Sequence, residues 1–352
     1  MTTRAAAPAA PLSAATLPPA ADRSPDPATA PAGSVNPAAV IPATISPAPG
    51  LRVAALVNAR AGTARQGGLD QLRAELREAF AAAGHTTTCR VAARKALTAA
   101  IEEAARDPEV DVLLACGGDG TVSFAAAEAH RHGKILAVLP GGTMNFFARS
   151  LGLSSNLAEA VRQVAGGEVR AVDLALFDGR PFVHQFSVGL KVRMVTLRRA
   201  YAYRSRLGKI VATFRAAGAA LARPLAFAVE IETDAGMQRR RASAVAISNN
   251  PFGEGHLPYA DRLDGGRLGL YVAEPLSRRD AWRLGLDLLL GRWRANPAIT
   301  EASARSVRLV FPPGGRRPRH CVVDGELAAL PAACEITLAP AGLRVLAPAP
   351  AS

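Results

Sequence analysis

Asp119 stands in LLACGGDGTV, where Gly117, Gly118, Gly120 and Thr121 surround it directly after an apolar run and before an alanine-rich one. Small residues there let the backbone come close to a ligand, and the amides of such a turn, backed by a helix terminus, suit phosphate oxygens. An acid among them suits a magnesium ion bridging those oxygens. A purely structural turn is the plainer reading, but it needs fewer glycines. LPGGTMNFFARSLGL repeats the arrangement with Gly141, Gly142, Thr143 and Asn145, so two loops could clamp one nucleotide. LVNARAGTARQGG adds Asn58, Arg60, Gly62 and Arg65 as a weaker third source of amides and positive charge. None of the three matches GxxxxGK[ST] or GxGxxG, which disfavours the P-loop and the dinucleotide fingerprint.

These loops need elements to hold them. LRVAALVN, TTTCRVA, VDVLLACGG and KILAVLPGG read as strands, and residues 69–83, 95–106 and 122–132 as helices between them. Such alternation predicts a mainly parallel sheet covered on both faces, with functional loops at the carboxyl ends of its strands. After about Asp173 the texture changes to short alternating runs, among them RPFVHQFSVG, PLAFAVEIET, RLGLYVAE, HCVVDGE and EITLAPAGLRVL, which read as antiparallel strands. Two helical stretches, about Met194–Ala222 and Arg278–Arg292, interrupt them. The expectation is an α/β fold: residues 1–50 a flexible Pro/Ala-rich tail, 51–175 an α/β nucleotide-binding domain, and 176–347 a β-rich domain. The tail holds 11 of the 26 prolines, a composition that cannot repay the entropy of ordering.

Composition narrows the partners. Lys plus Arg is 42 against 29 acids, a net charge of +13, which favours phosphates, acidic lipid surfaces or nucleic acid. Arginine-rich genome composition accounts for such a balance equally well. Cys89, Cys116, Cys321 and Cys334 form no CxxC pair, so neither a zinc site nor a disulfide framework is indicated, and a reducing cytoplasm fits. No apolar run reaches a membrane span of roughly 18 to 20 residues, and the first residues have prolines where a signal peptide needs its apolar centre.

With GGDGT at Gly117–Thr121, PGGTMNFFAR at Pro140–Arg149, VDLA around Asp173, RLDGGRLGLYV at Arg262–Val272 and VDGE at Val323–Glu326, the chain resembles the diacylglycerol kinase catalytic-domain family of lipid kinases over residues 51–347. The resemblance implies ATP on the first domain, a lipid headgroup between the domains, and transfer of the γ-phosphoryl group to a lipid hydroxyl. It further implies that Asn58–Gly62, Gly118–Thr121 and Thr143 cradle ATP, that Asp119 and Asp173 organise Mg2+, and that Glu326 accepts the hydroxyl proton. Asp264 is its candidate for a structural magnesium in the second domain. In isolation Glu326 reads as a solvated turn carboxylate and Asp264 as plain turn chemistry.

The chain also departs from the family. Phe146 stands where many relatives have the acid of GTxND, and Val122, Ser123 and Phe124 replace a common Asn-Glu pair after GGDGT. A nucleotide- or lipid-binding regulator without turnover therefore stays open, as does a soluble-substrate kinase related to NAD kinase. Arginines between Val192 and Arg223, interleaved with Met194, Leu197, Tyr201, Tyr203, Leu207, Ile210 and Phe214, suit an anionic bilayer surface or a solvated helix face. The runs Arg239–Arg241 and Arg316–Arg319 have no aromatic stacking platform, so nucleic acid is not an expected partner. The expected setting is the cytoplasm, with peripheral contact at the inner membrane face. Oligomeric state is not legible.

Overall fold

The computed structural model describes residues 44–45, 50–61, 68–93, 95–200, 226–313 and 317–349. Of the expected tail, Thr44–Ile45 form strand β1, paired antiparallel with Val169 and Arg170; apart from these and Gly50 it lies outside the described residues. So do Gly62 and Arg65, and the basic stretch from residue 201.

The first lobe is built as the alternation predicts. Strands β2 (Arg52–Asn58), β3 (Thr86–Ala92), β4 (Val112–Gly117) and β5 (Ile135–Pro140) lie parallel in the order β5-β4-β2-β3. Helices α1 (Leu69–Ala82), α2 (Lys95–Arg106) and α3 (Asp119–His132) connect them. Every residue of β4 and β5 is buried, as strands covered on both faces must be. Leu72, Leu76 and Phe80 of α1 and Leu97 and Ile101 of α2 fill that core at helical spacing. Burying each such large side chain stabilises the lobe by about 1.5–3 kcal/mol. Short helices α4 (Phe146–Ser150) and α5 (Leu157–Ala165) follow β5.

The second lobe is a sandwich. Its inner sheet has the order β13-β12-β11-β8-β15-β16, all antiparallel: β8 (Gln185–Gly189), β11 (Ala244–Ser248), β12 (Leu268–Ala273), β13 (Ile299–Ala304), β15 (His320–Val323) and β16 (Glu326–Ala329). It packs on β9 (Phe227–Thr233), β14 (Ser306–Val310), β6 (Glu168–Phe177) and β17 (Ala333–Ala347) through Phe177, Phe186, Ile247, Leu309 and Ile336. β7 (Arg180–Phe182) and β10 (Gly236–Ala242) extend the outer sheet. Helix α6 (Leu190–Ala200) leaves β8, and α7 (Arg278–Leu289) joins β12 to β13.

The division expected near residue 175 is not a break in the sheet. β6 runs through that point, and β17 pairs antiparallel with β14 and β6 and then, at Arg344 and Val345, parallel with β5. Leu343, Val345, Leu346 and Ala347 are buried in the core of the first lobe. One outer sheet of eleven strands therefore carries both lobes. Among the described residues no helix is long and apolar enough to cross a membrane.

Candidate active site

The two glycine loops end adjacent parallel strands and lie backbone against backbone. Gly117 is in register with Pro140, and Gly141 N–H donates to Gly117 O at 2.9 Å. A Cβ on Gly142 would stand 2.6 Å from Gly118 Cα, and one on Gly141 2.8 Å from Gly117 Cα. A Cβ on Gly117 would meet Thr121 Oγ1 at 2.7 Å, and that hydroxyl accepts from Asn58 Nδ2 at 3.3 Å. The ends of β2, β4 and β5 thus converge. The N-cap residue of α3 is Gly118, which has no side chain to cap the helix, and the positive end of a helix suits an anion.

Asp119 opens α3 but faces the second loop. Its carboxylate accepts from Phe146 N–H at 2.8 Å and Asn145 N–H at 3.2 Å, and so caps α4. Asn145, with φ of 50°, is the staple of that loop: its Oδ1 accepts from Gly142 N–H and its Nδ2 donates to Gly142 O. Thr143 stands exposed at the loop tip.

Glu326 arrives from the other lobe. Val323 and Glu326 are paired across a two-residue hairpin turn whose Asp324 and Gly325 both have positive φ, 46° and 88°, the geometry that an Asp-Gly pair favours. The turn carries Glu326 over the first turn of α3, where its Oε1 lies 3.6 Å from the point that a Cβ on Gly120 would occupy. Glu326 of the second lobe therefore lies by the first turn of the helix that Asp119 opens.

Asp173 takes no part in that junction. It lies opposite the irregularity in β17 between Ala339 and Leu343, and its buried carboxylate accepts from Gly266 N–H at 2.7 Å, Asn250 Nδ2 at 2.8 Å and Ala341 N–H at 3.1 Å. It clamps three segments together. Asp264 is exposed and bonded to Arg262 Nε at 3.1 Å.

Three groups at the junction went unnoticed in the sequence. Asp324, quoted only as part of VDGE, is buried and accepts from the Val183, His184 and Gln185 amides, each at 2.9 Å. Burial raises its pKa, while those amides and the Ser123 side chain oppose the rise. Lys191, in the first turn of α6, donates to Gln185 Oε1. Burial pushes its pKa down to about 8, against the pull of Asp324 and Asp119. His184 stacks on Phe146 with ring centres 4.3 Å apart, and burial together with the Lys191 charge holds its ring neutral. The VDGE motif offered a signal for Asp324; nothing local marked Lys191 or His184.

Among the described residues the arrangement supplies helix-end amides, the Lys191 cation and three carboxylates, of which Asp324 is taken up by backbone amides, and this suits a polyphosphate. Among the described residues no three His, Cys, Asp or Glu gather to hold a metal unaided. Magnesium, however, commonly takes one or two carboxylates and completes its shell with water and substrate phosphates. Asp119 retains acceptor sites beyond its two amides, so it fits an ion arriving with a nucleotide. Among the described residues Asp264 belongs to no cluster of three such ligands.

A family model described as the diacylglycerol kinase catalytic domain matches residues 52–177, and one described as the YegS C-terminal NAD kinase beta sandwich-like domain matches residues 187–347. The chain is 28% identical over 215 residues to a diacylglycerol kinase of Staphylococcus epidermidis, covering 59% of this chain and 66% of that one. It is 28% identical over 247 residues to the uncharacterized protein sll0036 of Synechocystis, covering 67% and 54%. The chain thus spans between about half and two thirds of these relatives' lengths. The fold is similar to the crystal structure of a diacylglycerol kinase from Bacillus anthracis, with TM-score 0.61 and 22% identity over 85% of this chain and 96% of that one.

Proposed function

Because the chain belongs to the diacylglycerol kinase family, its first lobe matching the catalytic-domain model and its second the YegS C-terminal one, we propose that it is a lipid kinase that transfers the γ-phosphoryl group of ATP to the hydroxyl of diacylglycerol or a related lipid. The approach of Glu326 to Gly120 carries this reading, because it sets an acid from one lobe beside the helix end of the other. Phosphoryl transfer needs alignment and charge compensation more than covalent chemistry. The α3 amides and Lys191 would hold the polyphosphate. As the lipid oxygen bonds to the γ-phosphorus, the bond to the β-phosphate oxygen breaks, ADP leaves, and the hydroxyl proton passes to Glu326. Mg2+ bound with the nucleotide, held by Asp119, would neutralise phosphate charge.

The test is labelled ATP with Mg2+ and mixed vesicles containing diacylglycerol. Labelled phospholipid is expected from the wild type, with kcat lowered at least about 100-fold in Glu326→Ala, the loss of a general base. Label passing to NAD instead would overturn the lipid assignment. The stack of Phe146 on His184 favours a second reading, ligand binding without turnover. It requires tight ATP binding, no product, and activity appearing in Phe146→Asp.

A further inference from the structure

Helix α7 presents an apolar face that is exposed among the described residues. Trp282, Leu286 and Leu290, at i, i+4 and i+8, are 56%, 56% and 55% exposed, and residues at that spacing share one side of a helix. The opposite side, Ala281 and Leu284, is buried, so α7 is already seated on the lobe and still carries this second stripe. Isolated exposed leucines are ordinary; a contiguous row headed by tryptophan is not.

Charge indicates what would cover it. Arg278 lies one turn before Trp282 on the same face, and Arg279 and Arg283 run alongside, all three exposed. Of the two acids of the helix, Asp280 is engaged in a capping box with Ser277, and half-buried Asp287 accepts from Asn296 Nδ2 at 2.6 Å and lies 3.9 Å from Arg283 Nε, which leaves the arginines in excess along this face. An apolar row with tryptophan at one end and arginines along its border complements an anionic bilayer surface, where indole and guanidinium sit at headgroup level.

The position of the stripe links it to the catalytic junction. At the end of α7, a Cβ on Gly291 would stand 3.0 Å from Gly255 O and His256 N. Trp293 then packs edge-on against Phe252, Phe252 against His184, and His184 on Phe146, whose amide is bonded to Asp119. An aromatic run therefore leads from the segment just after α7 to the loop that holds Asp119.

We infer that α7 docks the protein on anionic membranes through Trp282, Leu286 and Leu290, with Arg278, Arg279 and Arg283 contacting lipid headgroups. The inference rests on the lipid-kinase reading for its purpose, though not for its geometry. Its test is flotation of the full chain with phosphatidylcholine vesicles with and without 25–30% phosphatidylglycerol (about this content gives a substantial surface charge), alongside assays on a short-chain, water-soluble diacylglycerol. Wild type is expected to float with anionic vesicles, less so at high salt. Lipids brominated near the headgroup should quench its fluorescence, and Trp282→Phe should remove most of that quenching. Trp282→Ser/Leu286→Ser should bind about tenfold or more weakly and keep its activity on the soluble substrate. Unchanged flotation of this variant, or none by wild type, overturns the docking assignment. A wild-type dimer that the variant dissociates would overturn it too, assigning the stripe to a second copy. Docking without turnover on any lipid would instead sink the kinase reading and leave the docking surface standing.

Discussion

Lys191 is a cation whose charge is set by its neighbours. Gln185 on β8, Asp324 in the hairpin turn, Asp119 on α3 and the neutral ring of His184 face it. An ordinary lysine stays charged to beyond pH 10, whereas burial brings this one to about 8. A depressed lysine loses its proton as pH rises through that lower value, so the positive charge of the site drains away between pH 7 and 9. ATP affinity measured by calorimetry should weaken about two- to tenfold over that interval. Lys191→Arg, whose guanidinium does not titrate there, should flatten the profile; equal slopes in the two proteins would remove Lys191 from the site. The contrast with Asp119 and Glu326 shows what a sequence exposes at this scale. Asp119 sits among glycines directly after a strand, a local signal, whereas Glu326, with one glycine beside it, was singled out only by the resemblance. The identity of Asp173 was equally plain, yet its partners Asn250, Gly266 and Ala341 are 77, 93 and 168 residues away, and only folding reveals that its oxygens are turned to them. Lys191 acquires its character chiefly from burial, opposed by Asp324 and Asp119, none of which is legible locally.

At the level of elements, the glycine loops do two jobs that substitutions can separate. Gly142 is required by packing, since a Cβ there would meet Gly118 Cα at 2.6 Å, while one on Gly118 would make only an ordinary 3.5 Å contact with Gly142 Cα. Gly142→Ala should therefore destabilise the protein by about 1–3 kcal/mol, the usual cost of overpacking, seen as a lower denaturant midpoint. Gly118→Ala should leave that midpoint within about 0.5 kcal/mol but weaken ATP binding at least about tenfold, because a methyl group would stand where phosphate approaches the α3 amides. A Gly118→Ala protein that binds ATP normally would take the nucleotide away from this loop. The strands and helices of the first lobe were legible because period and length agreed: TTTCRVA is β3, and Lys95–Arg106 is α2. β13 was not, because its residues are largely exposed and carry no apolar alternation.

For the molecule as a whole, the feature hidden from the sequence is the return of β17 into the first lobe. A change of texture near residue 173 reads as a domain boundary, but edge pairing is set by which strand end remains free after folding, and the last strand supplies it. Asp173 sits where this shared strand is irregular, tying β6 to the loop before β12 and to β17. The resemblance assigned it to magnesium; its three donors point to a clamp between lobes. The two roles differ in what chelation does. As a clamp, Asp173→Ala leaves one buried and two half-buried donors without their acceptor, which should cost about 1–3 kcal/mol and lower Tm by roughly 1.5–5 °C, the same with Mg2+ as with a chelator. As a metal ligand, it would make the wild type lose that stability when Mg2+ is removed and leave the variant indifferent. Differential scanning calorimetry of both proteins, with and without the ion, decides between them. A chelated wild type melting at the temperature of the variant would return Asp173 to the metal.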